Sequence, residues 1–223
     1  MPLFITFGIN GCGKDTLSKE LLKTHAEIKL LSGSRIMLKG LGFDVGITVD
    51  SPATKAMYDT LEQTPEITKQ KMADEFFKST LLEFKQTGEI GIISSHLIIA
   101  RRDETTINYE SGLIRDWFGE VFDGFIYIKG DPREIFNRQI KDKSADIRDR
   151  GLSSIESLAR QQVLSNLEWE KLKLVVPESK MKTIYNLDGS LELSASKLES
   201  FIKLQLQENK ESTNELRSQF KPR

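Results

Sequence analysis

The chain has 223 residues, 38% of them hydrophobic and 29% charged, which predicts one globular domain with room for an inserted or mobile subdomain. A formal net charge of -1 excludes a protein whose whole surface binds nucleic acid or an anionic membrane. A single cysteine, Cys12, rules out an internal disulfide, and without a secretory signal pattern or a run of ~20 apolar residues the sequence predicts a cytoplasmic protein.

The first predicted elements are a strand, a glycine loop and a helix. Residues 3–7 are apolar, β-branched and aromatic, as in a buried strand, and residues 8–13 form a loop. From Lys14 onward, leucines recur on one helical face. A second strand is predicted at 28–31. A mainly helical insertion follows at about 34–88, with a turn near 40–46 and helix starts near Pro52 and Pro65.

The rest of the chain alternates strands and helices. In order, it contains strands at 90–93 and 125–128, a helix starting at Pro132, a polar loop at about 141–154, a long helix from 155, a strand at 183–187 and a helix at 193–206. Because helices separate most of the strands, we predict an α/β fold of three layers with a five-stranded parallel sheet. This domain spans 1–206, and the polar tail at 207–223 is expected to fray.

A phosphate-binding loop is indicated by Gly8-x-x-x-x-Gly13-Lys14, the Walker A spacing. Glycines let successive N–H groups turn toward phosphate oxygens, and the following helix directs its positive dipole end at them. An incidental glycine-rich turn is the alternative, which the position between a strand and a helix disfavours. We assign nucleotide binding to Asn10, Gly11, Cys12, Gly13, Lys14, Asp15 and Thr16, and assign Lys14 also to neutralising the transferred group.

The residue after the lysine is atypical. Walker A loops have Ser or Thr there to hold Mg²⁺, whereas this chain has Asp15, followed by Thr16. Asp15 is either a carboxylate stabilised by the helix dipole or a contact of Mg²⁺ or its water shell. We favour the first interpretation, because a carboxylate facing phosphates would oppose their binding, and we assign no residue as a metal ligand.

Cys12 is interpreted as a small residue that presents its backbone to phosphate. The helix N-terminus is also expected to lower the pKa of its thiol enough to make it alkylatable.

The loop resembles that of the nucleoside monophosphate kinases, Gly-x-Pro-Gly-x-Gly-Lys-Gly-Thr, with Asn10 replacing the proline and Asp15 replacing the last glycine. Residues 32–37 resemble the start of the acceptor domain in these kinases. Residues 92–96 are similar to the third strand of archaeal-type adenylate kinases. Residues 131–138, 146–149 and 154–156 resemble their stretch from the fourth strand through the lid into the long helix. These segments occur in the same order as in the family and together cover about 1–205. Only the phosphate-binding loop would identify the family by itself.

The resemblance implies ATP as donor, with Mg²⁺, and a base site near 186–189. Arg138 and Arg148 would come from the lid and close on the phosphates, which guanidinium groups bind in a bidentate way. The alternative for each is a solvated polar face, and Arg150 is a weaker candidate.

On the acceptor side, the candidates are Arg35, His96 and Arg101, with Arg102 beside it. His96 lies just past a strand at the carboxyl edge, where ligands gather, but is as well explained as a structural residue.

Departures from the family leave the acceptor and the activity open. Ser94 replaces an acidic residue that organises Mg²⁺ in the archaeal-type enzymes, and residues 97–110 differ from their acceptor loop. The favoured function is a Mg²⁺-dependent kinase acting on a nucleoside monophosphate. The alternatives are a nucleotide-binding regulatory or scaffold protein with little catalysis, or a kinase of a small metabolite. The expected partners are therefore ATP and a small acceptor, not nucleic acid or membrane, and no oligomeric state is predicted.

Overall fold

The fold is given by a computed structural model, which describes residues 2–102, 107–111, 115–141 and 154–219. Its strands are β1 (Leu3–Phe7), β2 (Ile28–Ser32), β3 (Ile90–Ser95), β4 (Ile98–Arg102), β5 (Ile107–Ser111), β6 (Gly124–Lys129) and β7 (Met181–Tyr185). Its α-helices are α1 (Lys14–Leu22), α2 (Gly33–Gly40), α3 (Lys55–Gln63), α4 (Glu66–Met72), α5 (Lys78–Gln86), α6 (Phe118–Val121), α7 (Pro132–Lys141), α8 (Ile155–Leu172) and α9 (Leu191–Gln219). A π-helical turn, Ala73–Phe77, joins α4 to α5.

Five strands form one parallel sheet in the order β2-β3-β1-β6-β7. The predicted five-stranded parallel sheet is therefore confirmed, with strand ends that differ by a residue or two from those expected. Strand β1 lies at the centre, between β3 and β6. Because all five strands point the same way, the loop after β1 lies at the middle of the carboxyl edge, where open α/β sheets bind ligands.

Helices cover both faces of the sheet and enclose two apolar cores. Alternate residues of β1 point to opposite faces, so Leu3, Ile5 and Phe7 enter one core and Phe4 enters the other. The first core is closed by side chains of α5, α6 and α8, including Trp169. The second is closed by α1 and α9, including Leu17 and Phe201 among others. This arrangement gives the three layers that the sequence predicts.

Two features differ from the prediction. Strands β4 and β5 form an antiparallel pair, which is absent from the predicted elements. This pair packs on α8, where Gln161 Nε2 donates to Ile98 O over 2.9 Å and the Tyr109 hydroxyl donates to Ser157 O over 3.3 Å. In addition, the closing helix α9 continues to Gln219, well past the expected end at 206.

Most of the predicted lid, 142–153, lies outside the described residues. Among the helices that are described, none has both the length and the apolar character that a membrane span requires.

Candidate active site

The loop between β1 and α1 depends on its glycines. Gly11 and Gly13 have φ angles of 82° and 94°, in the region that other residues adopt at a cost. At Gly8 the backbone approach is close, because an added Cβ would lie 2.6 Å from Ile128 O. An added Cβ at Gly13 would overlap the Asn186 amide nitrogen. The sequence therefore specifies a tight loop, pressed against β6 and the end of β7.

The N-terminus of α1 faces this loop without a side-chain cap. Its N-cap residue is Gly13, in the left-handed conformation, which has no side chain to accept the first helical N–H groups. By contrast, α2, α3 and α8 are capped by the hydroxyls of Ser32, Thr54 and Ser154. The amides of the first turn of α1 and its dipole are thus directed at the loop, in the arrangement that binds phosphate.

Lys14 lies inside the loop. Its side chain is buried, with 7% exposed, and its Nζ donates to Gly8 O over 2.8 Å and to Ile9 O over 3.1 Å. These carbonyls hold the ammonium group in place through two of its three N–H donors. A cation fixed at this point is positioned to neutralise an anion bound by the loop amides.

Cys12 is a packing residue with an inert thiol. It is fully buried in the core under α1, and burial raises the pKa of its thiol despite the nearby charge of Lys14. The expectation that the helix N-terminus lowers this pKa is therefore wrong, because the cost of burying a thiolate outweighs the favourable charge. Its backbone carbonyl accepts a hydrogen bond from Asn186 Nδ2 over 2.9 Å.

Arg138 joins the loop to the end of β7. Its Nε donates to Asp188 Oδ1 over 2.8 Å and its Nη2 donates to Asn186 O over 3.1 Å, while Nη1 lies 3.5 Å from Cys12 O. Arg138 is part of α7, not of the predicted lid. Residues 186–189, where the base site is expected, are therefore adjacent to the loop and in contact with Arg138.

Neighbouring contacts extend this group of residues on the β7 side of the loop. In α7, Gln139 Nε2 donates to Asn10 O over 3.1 Å, and Glu134 accepts from the backbone N–H of Asp188 over 3.0 Å. Neither residue was predicted. The i, i+4 spacing of Glu134 and Arg138 was the available signal, since residues so spaced share one helical face.

On the other side of the loop lie Ser94, near the end of β3, and His96, which directly follows this strand. His96 Nδ1 lies 2.8 Å from Gly8 O, and since a carbonyl only accepts, Nδ1 carries the proton. Ser94 Oγ donates to Asp15 Oδ1 over 2.8 Å. The two atypical residues of the sequence are therefore in contact, and His96 braces the loop from the β3 side.

Arg35 lies in the first turn of α2, beside this region, because the β2–β3 register pairs Ser32 with Ser94. Within the described residues its Nε is buried and has no hydrogen-bond partner. The predicted candidate Arg148 and the side chain of Arg101 lie outside the described residues.

The described residues contain no group of three or more His, Cys, Asp or Glu side chains arranged around one point. This does not oppose Mg²⁺, which proteins hold with one or two carboxylates while phosphates and water complete its shell. The exposed side chains of Asp15 and Thr16, next to Lys14, provide hard oxygen donors of the required kind.

Comparisons with solved structures define the fold class. The shikimate kinase of Bacteroides thetaiotaomicron matches with a TM-score of 0.54 and 13% identity, over 91% of this chain and 98% of that one. The shikimate kinase of Acinetobacter baumannii matches with a TM-score of 0.53 and 15% identity, over 91% and 93%. Comparison of the sequence with protein-family models and with curated proteins finds no match. The chain therefore shares its fold with these shikimate kinases, and the likeness does not single out the nucleoside monophosphate kinases.

Proposed function

We propose that this protein is an ATP-dependent phosphotransferase that moves the γ-phosphoryl group of ATP to a small acceptor. The observation that supports this most is the buried Lys14 ammonium, held by Gly8 O and Ile9 O in front of the uncapped N-terminus of α1. Backbone amides and a fixed cation at one point are the groups that stabilise a phosphoryl group in transfer.

The sheet order supports a division between donor and acceptor. The loop follows β1, with β6 and β7 on one side and β2 and β3 on the other. Asn186, Asp188 and Arg138 lie on the β7 side, where we place the nucleoside of ATP. Arg35 lies on the β2 side, where we place the acceptor. The two substrates would then meet over the loop, as an in-line transfer requires.

A nucleoside monophosphate is the favoured acceptor. The buried Arg35 Nε, which lacks a partner among the described residues, favours an anionic group near the start of α2. Helices α2 to α5 lie between β2 and β3 in the chain, as the resemblance to nucleoside monophosphate kinases implies for an acceptor-binding insertion.

The mechanism then needs positioning and charge neutralisation, with no side-chain nucleophile. An oxygen of the acceptor phosphate, already ionised, attacks the γ-phosphorus, and the bond to the bridging oxygen of ADP breaks. Lys14 neutralises charge on the transferred group, and Arg138 holds the loop in position through Cys12 and Asn186. Mg²⁺, which accompanies ATP, would further neutralise the phosphates, with Asp15 and Thr16 as the nearest oxygen donors identified in the loop.

A small hydroxylated metabolite is the second candidate acceptor. The observation that favours it is the fold neighbour from Acinetobacter baumannii, described as a shikimate kinase in complex with shikimate. That likeness, at 15% identity, concerns the fold alone.

One assay separates these acceptors and tests the proposal. ADP formation is measured with ATP and Mg²⁺, with and without each member of a panel of nucleoside monophosphates and small hydroxylated metabolites. We expect one nucleoside monophosphate to give many turnovers per protein and a phosphorylated product. A protein that binds ATP tightly and transfers phosphate to no member of the panel would instead fit a regulatory or scaffold role, and would overturn the proposal.

A further inference from the structure

Asp15 and Ser94 occupy two positions whose usual residue types are exchanged. In P-loop NTPases, Mg²⁺ is held by a Ser or Thr hydroxyl directly after the loop lysine and by an Asp carboxylate from a strand. This chain has the carboxylate after the lysine, as Asp15, and the hydroxyl near the end of β3, as Ser94. Both kinds of oxygen are therefore present, but here the carboxylate is on the helix and the hydroxyl is on the strand.

The fold brings these two side chains together. Ser94 Oγ and Asp15 Oδ1 are 2.8 Å apart, although the residues are 79 positions apart in the sequence. The parallel pairing of β1 and β3 explains this contact, because it places Ser94 opposite Thr6, just before the loop begins. The pair is thus fixed by the central strands of the sheet and not by a surface loop.

The hydrogen-bond directions leave acceptor oxygens for a cation. An ionised carboxylate can only accept, so the single proton of Ser94 points at Asp15. The hydroxyl of Thr6 lies 3.3 Å from both Ser94 Oγ and Ile93 O, and it has one proton to give to either. Ser94 Oγ therefore keeps at least one lone pair beyond its contact with Thr6, and the Asp15 carboxylate keeps several.

The charge of Asp15 also points to a cation at this place. Its carboxylate is exposed in the first turn of α1, next to Lys14 and the phosphate-binding amides. Within the described residues its polar partner is a hydroxyl and not a cationic side chain. A carboxylate this close to bound phosphates is repelled by them unless a divalent ion lies between the two.

We propose that Asp15 and Ser94 together form the site for the Mg²⁺ of the bound nucleotide, with the usual carboxylate and hydroxyl exchanged between helix and strand. This inference rests on the proposed binding of ATP. The exchange preserves one negative and one neutral oxygen donor, so the site keeps the formal charge of the usual arrangement. In this proposal Asp15 binds the metal ion, and is not merely a carboxylate that the helix dipole stabilises.

The two roles of Asp15 predict different effects of a substitution. If Asp15 acts only through the dipole, Asp15→Ser changes ATP affinity in the same direction with and without metal. If it holds Mg²⁺, the same substitution strengthens binding of metal-free ATP, because a like charge is removed, and weakens binding of Mg-ATP. The sign of the effect in the two conditions therefore distinguishes them.

The experiment measures ATP affinity of the full chain by calorimetry in EDTA and in excess Mg²⁺. It also measures Mn²⁺ affinity by electron paramagnetic resonance in the presence of a non-hydrolysable ATP analogue. The variants are Asp15→Ser, Ser94→Asp and the double exchange D15S/S94D, with Glu20→Gln as the matched control in the same helix. We expect Asp15→Ser to weaken Mn²⁺ binding by about tenfold or more, the scale typical of groups around a bound metal.

The double exchange is the decisive variant. D15S/S94D should recover most of the Mn²⁺ affinity that Asp15→Ser loses, and Glu20→Gln should match the wild type. Unchanged Mn²⁺ affinity in Asp15→Ser, or a double variant no better than that single one, would overturn the inference. Circular dichroism checks the fold. Should the double variant not fold, Asp15→Asn and Ser94→Ala take its place, and the inference requires that each weakens Mn²⁺ binding.

The outcomes also separate this inference from the proposed function. A wild-type protein that binds no ATP in either condition contradicts the proposed function itself. A wild-type protein that binds ATP, with a metal dependence that Asp15→Ser leaves unchanged, contradicts only the magnesium site.

Discussion

Replacing Gly13 with alanine tests whether the loop requires the close approach of Asn186. Gly13 has a φ angle of 94°, and a Cβ there would overlap Asn186 Nδ2. Asn186 is 5% exposed and its amide donates to Cys12 O over 2.9 Å, so it cannot move away without losing that bond. Gly13→Ala therefore adds backbone strain, breaks a buried hydrogen bond and pushes β7 away from the loop.

The expected loss of stability is about 2–5 kcal/mol. The left-handed conformation costs a residue with a Cβ roughly 1–2 kcal/mol, and a buried amide left without its partner costs roughly 1–3 kcal/mol more. For a chain of this size, each kcal/mol lowers Tm by about 2–4 °C. We expect a decrease in Tm of roughly 5–15 °C, together with weaker ATP binding, because the loop amides are displaced.

Gly42→Ala is the matched control. Gly42 has a φ angle of 90°, but a Cβ there would meet no atom within 4 Å. Gly42→Ala should therefore lower the stability only by the backbone strain, about 1–2 kcal/mol, and should leave ATP binding intact. Both variants are compared by thermal unfolding and by ATP titration. If Gly13→Ala is no less stable than Gly42→Ala and binds ATP as the wild type does, the reasoning about the loop is refuted.

Three further predictions concern the surroundings of the site. Arg138→Ala should raise KM for ATP about tenfold or more, since hydrogen bonds to charged groups contribute ~1.5–3 kcal/mol. Arg133 is exposed on the same helix, so Arg133→Ala serves as the control and should leave KM unchanged. Equal KM values for the two variants would contradict the role of Arg138. The pKa of His25 is raised by its hydrogen bonds to Glu199 and Glu27, so its stabilisation is full below about pH 6.5 and is lost as pH rises through the folded pKa. His25→Gln should therefore lower the free energy of unfolding in urea more at pH 6 than at pH 9, and an equal loss would oppose this. Cys12 should react with iodoacetamide at pH 8 only after denaturation, so rapid labelling of the folded protein would contradict its burial.

The sheet was predictable from the sequence because its strands are buried on both faces. Residues such as those of β1 and β6 read as short, continuous apolar runs, and helical patterns between them imply parallel connections. The start of α7 at Pro132 was predictable for a local reason, since proline is pre-organised for the first helical position.

The β4–β5 pair was not predictable, because β4 is only a short apolar run that ends in two arginines, β5 is mostly polar, and the pair is held by contacts distant in sequence. Gln161 and Ser157 of α8 bond to this pair, and no local pattern identifies such partners. The end of α9 was missed for another reason. The residues after 206 are largely Gln, Glu, Lys and Asn, and several of these types favour helix without forming an apolar face.

The phosphate-binding loop was predictable from the sequence, but the side-chain contacts around it were not. Gly8, Gly13 and Lys14 follow a spacing that the physics of phosphate binding requires. The contact between Asp15 and Ser94 depends on the register of β1 and β3, which the sequence alone does not define. The same holds for Arg138, whose partners belong to the loop and to the end of β7.

Transfer of labelled phosphate tests the central claim most directly. The protein is incubated with ATP labelled at the γ-phosphate, Mg²⁺ and the acceptor panel, beside the Lys14→Ala variant, whose fold is checked by circular dichroism. We predict that the wild type moves the label to a nucleoside monophosphate over many turnovers and that Lys14→Ala does not. Label transfer by Lys14→Ala at the wild-type rate, or no transfer to any acceptor by a wild-type protein that binds ATP, would contradict the account.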